Sequence, residues 1–413
     1  MNEITINYNR KLWPLYLLFF TSTDTVLFGT NSNDMFLYVP RIVGILLILY
    51  PIIISRGKIL YNKGALISAS ILCFILAGNF LFNATDMLTI ISRIISIFVA
   101  YTISIGYNYK TYIKVFDKSM VIISIAALII EMFSYVLPSV IMALPQVINT
   151  AEGAFATCLV GGIQINNLGN QLIRSSGIFW EPGAFAIYLS IALLFQLFYL
   201  NTNIKKVILY GICLFTTFST TGYITFFIMI IVFLCTTKNN RISKRMKNIS
   251  IGIIIMIALL IMFAENTELY NVLFGKIINR ESTSVTRYAS IVNGLEIGFD
   301  YPLLGVGPNN MSEYMATYAQ KSNFDFGANP WNTNTTTYQF AAYGFIFGVI
   351  FVIGNYKFFA KTNQKKLLHM GLFLVLMIAY CGEVFFSFMP YVFMFYGLKS
   401  GNYERNCDEN SSY

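Results

Sequence analysis

"RSSGIFWEPGAFAIYLSIALLFQLFYL", Arg174 to Leu200, has two unlike halves. From Gly183 to Leu200 there is no charged residue, and the run has about the length that crosses a hydrocarbon core. The half before it sets an arginine, a carboxylate, a proline and the aromatics Phe179 and Trp180 at the lip of that run. The second half predicts a membrane-spanning helix; the first asks why polar groups gather at its mouth.

Working outward, the same apolar pattern recurs along the whole chain. The 413 residues are 56% hydrophobic and 11% charged, against roughly a quarter charged in a soluble domain. Spans are predicted at about 12–29, 36–54, 64–82, 87–105, 119–137, 183–200, 205–219, 222–236, 249–264, 337–354, 367–381 and 385–398. The fold class is all-α, a polytopic bundle of eleven or twelve spans forming one integral-membrane domain over 1–413.

The net charge of +9 is distributed as a membrane protein's is, which excludes nucleic acid as the partner. With those spans, 21 Lys and Arg fall on one side and five on the other, Arg41 and Arg93 lying inside spans. The positive-inside rule puts the lysine-rich side and both termini in the cytoplasm. The first span, after Arg10 and Lys11, has the look of an uncleaved signal anchor. The six cysteines, mostly in or beside spans, give no disulfide framework.

Two connections are long, about 138–182 and about 265–336, and both lie on the predicted outer face. Loops of this length are usually functional or disordered, and their Trp, Phe, Ile and Leu content favours packing over the bundle as a lid or site. Arg174, Arg280 and Arg287 outnumber Lys276 and Lys321 there. Arginine offers a planar, permanently charged fork suited to phosphate; pairing with Glu181, Glu281, Glu296 or Asp300 is the structural alternative. Pro182 and Glu181 are also ordinary helix-start residues, so a bridged and capping Arg174–Glu181 pair stays open beside a ligand role.

In Thr286–Asn310 the spacing of Ile291, Leu295 and Phe299 predicts an amphipathic helix. Pro302, Gly305, Gly307 and Pro308 break it, the glycines serving tight turns or close backbone approach to a ligand. Asp24, Arg41, Arg93 and Glu131 within spans, and Glu383 between the last two, are the ionisable residues placed within the membrane, where a lone charge costs at least about 2.5 kcal/mol at mid-bilayer. Arg41 and Arg93 either reach an outer anion or pair internally, as Arg93 would with Glu131 or Asp24. The single histidine, His369, belongs to the cytoplasmic edge. No metal cluster and no nucleotide fingerprint is visible, so no cofactor is expected.

These residues resemble bacterial O-antigen polymerases, of the O-antigen ligase and polymerase superfamily of integral-membrane glycosyltransferases. Three places carry the likeness. Arg174, Gly177, Phe179, Glu181 and Pro182 match an Arg-x-x-Gly-x-Phe-x-Glu-Pro pattern. Arg287 followed by "YPLLGVG" is similar to the arginine and Pro-x-x-Gly-x-Gly closing the family's large outer loop. "NTTTYQFAAYGFIFG", Asn334 to Gly348, is similar to the Asn-led helix that follows. Ligases of this superfamily carry a histidine just before that asparagine, where this chain has Thr333.

The resemblance implies a GT-C-like bundle in the bacterial inner membrane and a lipid-linked substrate at its outer face. A growing glycan would leave undecaprenyl diphosphate for the non-reducing end of a new lipid-linked repeat unit. Arg174 and Arg287, with Arg280, would stabilise charge growing on the diphosphate, and Glu181 would accept the attacking hydroxyl's proton, Glu296 or Asp300 being second choices. Arg41, Arg93, Arg280, Asn334, Gly305, Gly307 and Phe179 complete the expected substrate contacts, Phe179 by stacking on a sugar or polyprenyl chain. A chain-length regulator and a flippase would be partner proteins. The alternatives are a ligase acting on lipid A core, or a polysaccharide or lipid transporter.

Overall fold

A computed structural model of the chain describes residues 12–29, 33–54, 61–149, 153–168, 173–236, 282–322, 332–362 and 365–400. It is mostly helical, 74%. Lys276, Arg280 and the span expected at 249–264 lie outside the described residues.

The first half runs α1 (Trp13–Phe20), α2 (Asp34–Ile54), α3 (Lys63–Phe82), α4 (Met87–Gly106), α5 (Tyr109–Val136) and the short α6 (Pro138–Met142). Strands β1 (Gln146–Asn149), β2 (Gly153–Cys158) and β3 (Gly161–Gln164) follow, then α7 (Pro182–Phe198), α8 (Ile204–Thr216) and α9 (Thr220–Thr236). The second half holds α10 (Ser282–Asp300), α11 (Met311–Lys321), α12 (Thr335–Tyr343), α13 (Phe345–Thr362), α14 (Lys366–Ala379) and α15 (Met389–Leu398).

Four of these helices, α3, α4, α5 and α13, are long and apolar enough to cross a membrane; 20 residues of α-helix extend about 30 Å. Side-chain caps start several of them. Asn62 accepts from the Ala65 amide, Asp86 from Thr89 and Asn108 from Lys110, satisfying amides that a helix start leaves without partners. Large apolar residues turn outward, Phe74 at 79% exposure among them, as expected of a lipid-facing wall.

Two shorter helices form the centre. Every residue of α7 from Pro182 to Gln196 is buried, and so is α15 from Met389 to Gly397. A helix apolar all round belongs inside a bundle. Aromatic rings fill the space between: Tyr188 stacks on Phe116 with centroids 5.9 Å apart and meets Phe385 edge-on at 5.5 Å.

Several expected spans take a different form. The first, 12–29, is an eight-residue helix followed by irregular backbone. There Thr21 donates to the Leu17 carbonyl, Thr25 to that of Ser22, and the Asp24 amide to Ser22 Oγ; such local bonds compete with a continuing helix. The span expected at 337–354 is broken at Gly344, φ +91°, into α12 and α13. The last begins at Met389 rather than 385, and α5 begins ten residues before the expected 119.

The loop expected at 138–182 contains α6 and a three-stranded antiparallel sheet in the order β1-β2-β3, which pairs Val147 with Phe155 and Ala156 with Ile163. In α10 the predicted stripe of Ile291, Leu295 and Phe299 is not the packed face, and Phe299 is exposed. Ala289, Ser290, Asn293 and Ile297 are the fully buried residues. On that face Gly294 lies against Thr337 and Gly298 against Phe340, so small residues let α10 lie tightly on α12.

Candidate active site

At the end of the bundle where α7, α9 and α12 begin, three irregular segments meet: residues 173–181, the turn 217–219 and residues 380–388. Each is held by backbone bonds to its neighbours. The Ser175 amide donates to Thr216 O, the Gly162 amide to Gly177 O, and the Val26 amide to Ile178 O, while Thr25 bridges Phe179. Gly177 sits at φ +58° with Phe185 and Ile123 pressing on the space a Cβ would take, so only glycine suits this turn without strain. The segment bearing Arg174 and Glu181 is thereby fixed to β3, α8 and the segment after α1.

Arg174 is half-buried and donates from Nε to the Thr217 carbonyl at 3.2 Å. Arg287, in the second turn of α10, donates to the Thr221 hydroxyl. The two arginines singled out in the sequence thus converge on the α8–α9 hairpin, one on its turn and one on the first turn of α9. Gly222 allows this: a Cβ there would stand 2.9 Å from the Ala186 Cβ, so glycine lets the start of α9 lie close on α7.

Glu181 occupies the N-cap position of α7, with Pro182 opening the helix, yet its carboxylate accepts no capping bond. It faces Gly183, where a Cβ would be 2.4 Å from Glu181 Oε1 and 3.4 Å from Glu383 Oε1. Two carboxylates therefore border one glycine at the mouth of α7. The sequence pointed to Glu181 and left Glu383 as an intramembrane charge; nothing local to residue 383 links it to residue 181.

The 380–388 segment is tied to the start of α12. The Thr335 amide donates to Tyr380 O at 2.9 Å, its hydroxyl to Glu383 O at 2.5 Å, and the Phe385 amide to Thr335 Oγ1 at 3.0 Å. Asn334 accepts from the amides of Thr336 and Thr337 and donates to Cys381 Sγ at 3.2 Å, so its amide is committed to capping α12. Three helix N-termini, each with partial positive charge, start at this end of the bundle, with two guanidinium groups at Thr217 and Thr221 and two carboxylates at Gly183.

The remaining expected contacts lie elsewhere. Phe179 is 1% exposed and stacks on Tyr188 at 4.3 Å; its ring packs the core instead of offering a platform to a sugar. Gly305 and Gly307, at φ +67° and +82°, bring backbone close to α12 rather than to an open space. The amides of Val306 and Gly307 donate to Ala341 O and Ala342 O, and Asn79 on α3 and Asn83 at its C-cap clamp the carbonyls of Leu304 and Gly305.

Arg93 is 4% exposed, donates to Tyr343 Oη and Phe386 O, and lies over the Phe386 ring at 4.9 Å. Among the described residues Lys206 and Asp117 form the one ion pair, so Arg93 bridges neither Glu131 nor Asp24; it braces the 380–388 segment from behind. Glu296 is exposed and Asp300 accepts from the Tyr318 hydroxyl. They follow Arg287 by nine and thirteen residues, roughly 13 and 20 Å along the helix at 1.5 Å per residue. Arg41 stands apart, on α2, bonded to Ser92 Oγ at 2.6 Å and Leu37 O at 2.7 Å.

The fold and this region define a multi-pass helical membrane protein with a cationic site and a carboxylate pair at one end of its bundle. Residues 206–350 match a family model described as O-antigen ligase, and the match supports the O-antigen ligase and polymerase superfamily, whose members are membrane glycosyltransferase-like enzymes. The matched stretch runs from α8 to the first turns of α13 and contains Thr221, Arg287, Gly305, Gly307 and Asn334. No curated protein matches the chain.

Proposed function

We propose that this protein is a surface-polysaccharide polymerase of the O-antigen type, acting at the outer face of the bacterial inner membrane. It transfers the growing glycan from undecaprenyl diphosphate to the non-reducing end of a new lipid-linked repeat unit. The observation that carries this reading is the approach of Arg174 to the α8–α9 turn and of Arg287 to the first turn of α9, with Glu181 and Glu383 at the mouth of α7.

An acceptor hydroxyl oxygen attacks the anomeric carbon of the donor, the bond from that carbon to the diphosphate breaks, and undecaprenyl diphosphate departs with the electron pair. Negative charge grows on the departing diphosphate, so cations placed there stabilise the transition state more than the bound donor. The hydroxyl loses its proton as it attacks, and Glu181 accepts it. Arg280, in the same outer segment of the sequence, is proposed to join the diphosphate contacts.

The polymerase branch is favoured over the ligase by Thr333, which stands where ligases carry histidine, and by His369, which pairs with Tyr356 at 3.2 Å on the α13–α14 pair. The lysine-rich side faces the cytoplasm by the positive-inside rule, which leaves the arginine site outside.

The test uses the purified full chain in detergent with lipid-linked repeat units extracted from host cells lacking this gene, without nucleotide. A ladder of lengthened lipid-linked glycans is the expected product. Transfer to added lipid A core without any ladder assigns the protein to the ligase branch, and intact repeat units after prolonged incubation exclude both.

A further inference from the structure

The chain carries a second recess, away from the arginine pair, between the segment after α1, the outer half of α2 and the start of α4. Its wall is largely apolar, from Leu18, Pro40, Ile95, Val99 and Phe388, and its polar groups are those of Thr21, Ser22, Thr23, Arg41, Ser92 and Ser96. Gly44, whose Cβ would meet Ile95 at 2.6 Å, holds α2 close to α4 behind it.

The donors of this recess are only partly committed. Arg41 uses Nε on Ser92 and Nη1 on Leu37 O, which leaves Nη2. Among the described residues it is in no ion pair; Asp86 acts on it electrostatically but spends Oδ2 capping α4 at Thr89. The Thr23 hydroxyl is buried without a partner, and Ser22 Oγ accepts from the Asp24 amide while its own proton is unspent. A guanidinium in a largely apolar bundle with uncommitted hydroxyl donors beside it recognises an anion that accepts several hydrogen bonds, as a phosphate does.

We infer that this recess holds the diphosphate of the acceptor, the second lipid-linked substrate; the inference rests on the polymerase reading. That reaction consumes two lipid diphosphates, and they make different demands. The donor's gains charge in the transition state and sits among paired arginines. The acceptor's is chemically unchanged, so its site need only bind, which one arginine and two hydroxyls suit.

The acceptor reacts at its non-reducing end while its diphosphate lies at the reducing end. Its head group must therefore sit one repeat unit away from the reacting carbons. Residues 383–388 supply that offset. Glu383 borders Gly183 beside Glu181, the Phe386 carbonyl accepts from Arg93 and Ser96, and Phe388 walls the recess. Five residues of chain separate the two sites by at most about 18 Å.

The experiment titrates undecaprenyl diphosphate into the full chain in phosphatidylcholine nanodiscs, counting bound equivalents. Wild type should bind two, Arg287→Ala one, and Arg41→Gln one. Glutamine retains neutral donors, and a thermal-unfolding scan of each variant reports its fold. Two sites in a folded Arg41→Gln variant overturn the inference. Loss of the Arg41 equivalent in phosphatidylglycerol nanodiscs assigns the recess to ordinary anionic lipid, and its displacement by inorganic pyrophosphate assigns it to a free anion; either result also overturns it.

In the polymerisation assay Arg41→Gln should raise the KM for the lipid-linked acceptor about tenfold, the equivalent of one charge-assisted contact; an unchanged KM overturns the inference. Two bound equivalents in a wild type that makes no polymer would sink the polymerase reading and leave a two-site lipid-diphosphate protein. Polymer formation with one equivalent would do the reverse.

Discussion

Arg174 Nε and Arg287 Nη1 hydrogen-bond to neighbouring parts of the α8–α9 hairpin, the first to the Thr217 carbonyl in the turn and the second to the Thr221 hydroxyl in the first turn of α9. Neither arginine lies on those helices, so two distant parts of the chain deliver charge to one place. Replacing either by alanine should cut chain elongation by at least about a hundredfold, the cost of removing one donor from a site where charge develops. Lysine should restore little, because the planar fork is lost. Gel ladders of lipid-linked glycan, normalised to membrane-inserted protein, measure this; wild-type ladders from both alanine variants would remove the arginines from the site.

Glu181 and Glu383 share Gly183 as a neighbour, but only Glu181 is assigned the proton. Glu181→Gln should therefore lower turnover about a hundredfold or more, and Glu383→Gln should cost less. The initial rate of repeat addition at saturating donor decides. A larger loss from Glu383→Gln would exchange the two roles.

Gly305 sits at φ +67°, and a Cβ there would stand 2.5 Å from the Ala341 carbonyl oxygen. Gly305→Ala should destabilise the fold by about 1–3 kcal/mol through backbone strain and the forced separation of this turn from α12. Thermal unfolding in detergent is the measurement, and a midpoint equal to wild type would contradict the close approach.

Asp117 on α5 accepts from Lys206 and, at 2.6 and 2.8 Å, from Gln196 and Tyr210. It ties α5, α7 and α8 together far from the arginines. Asp117→Ala should cost about 3–5 kcal/mol, since it leaves a partly buried ammonium and the buried Gln196 amide unmatched, while the Tyr210 hydroxyl keeps the Asp117 carbonyl. Reduced detergent stability with residual activity in the folded fraction is the expected result; loss of activity with unchanged stability would give Asp117 another role.

Four spans were legible because lipid leaves a strong compositional trace: uncharged, mostly apolar runs such as Ala65–Phe82 admit one reading. The break at Gly344 and the irregular stretch after Phe20 were not, because hydropathy averages over a glycine or a Thr-Ser-Thr-Asp-Thr cluster. In α10 the regular spacing of Ile291, Leu295 and Phe299 suggested one face, whereas contact with α12 runs through Gly294 and Gly298, which leave no apolar signal. Arg174, Glu181 and Arg287 stand out in the sequence through their motif patterns. Glu383, Thr221 and the 217–219 turn do not, since each gains its place from residues remote in the chain. Phe179 shows the converse: a residue inside a motif that the fold spends on packing against Tyr188.

The Val26–Ile178 bond and the Thr25–Phe179 bridge carry a consequence for biosynthesis. Residues 25 and 26 leave the ribosome some 150 residues before their partners. At translation rates of about 5–20 residues per second, that is a wait of roughly 10–30 seconds. Throughout it the stretch after α1 has backbone amides with no strand to meet, a state hydrocarbon does not tolerate. The newborn N-terminal segment must therefore linger in water or in the insertion machinery until residue 178 arrives, and the anion-holding end of the molecule is assembled late.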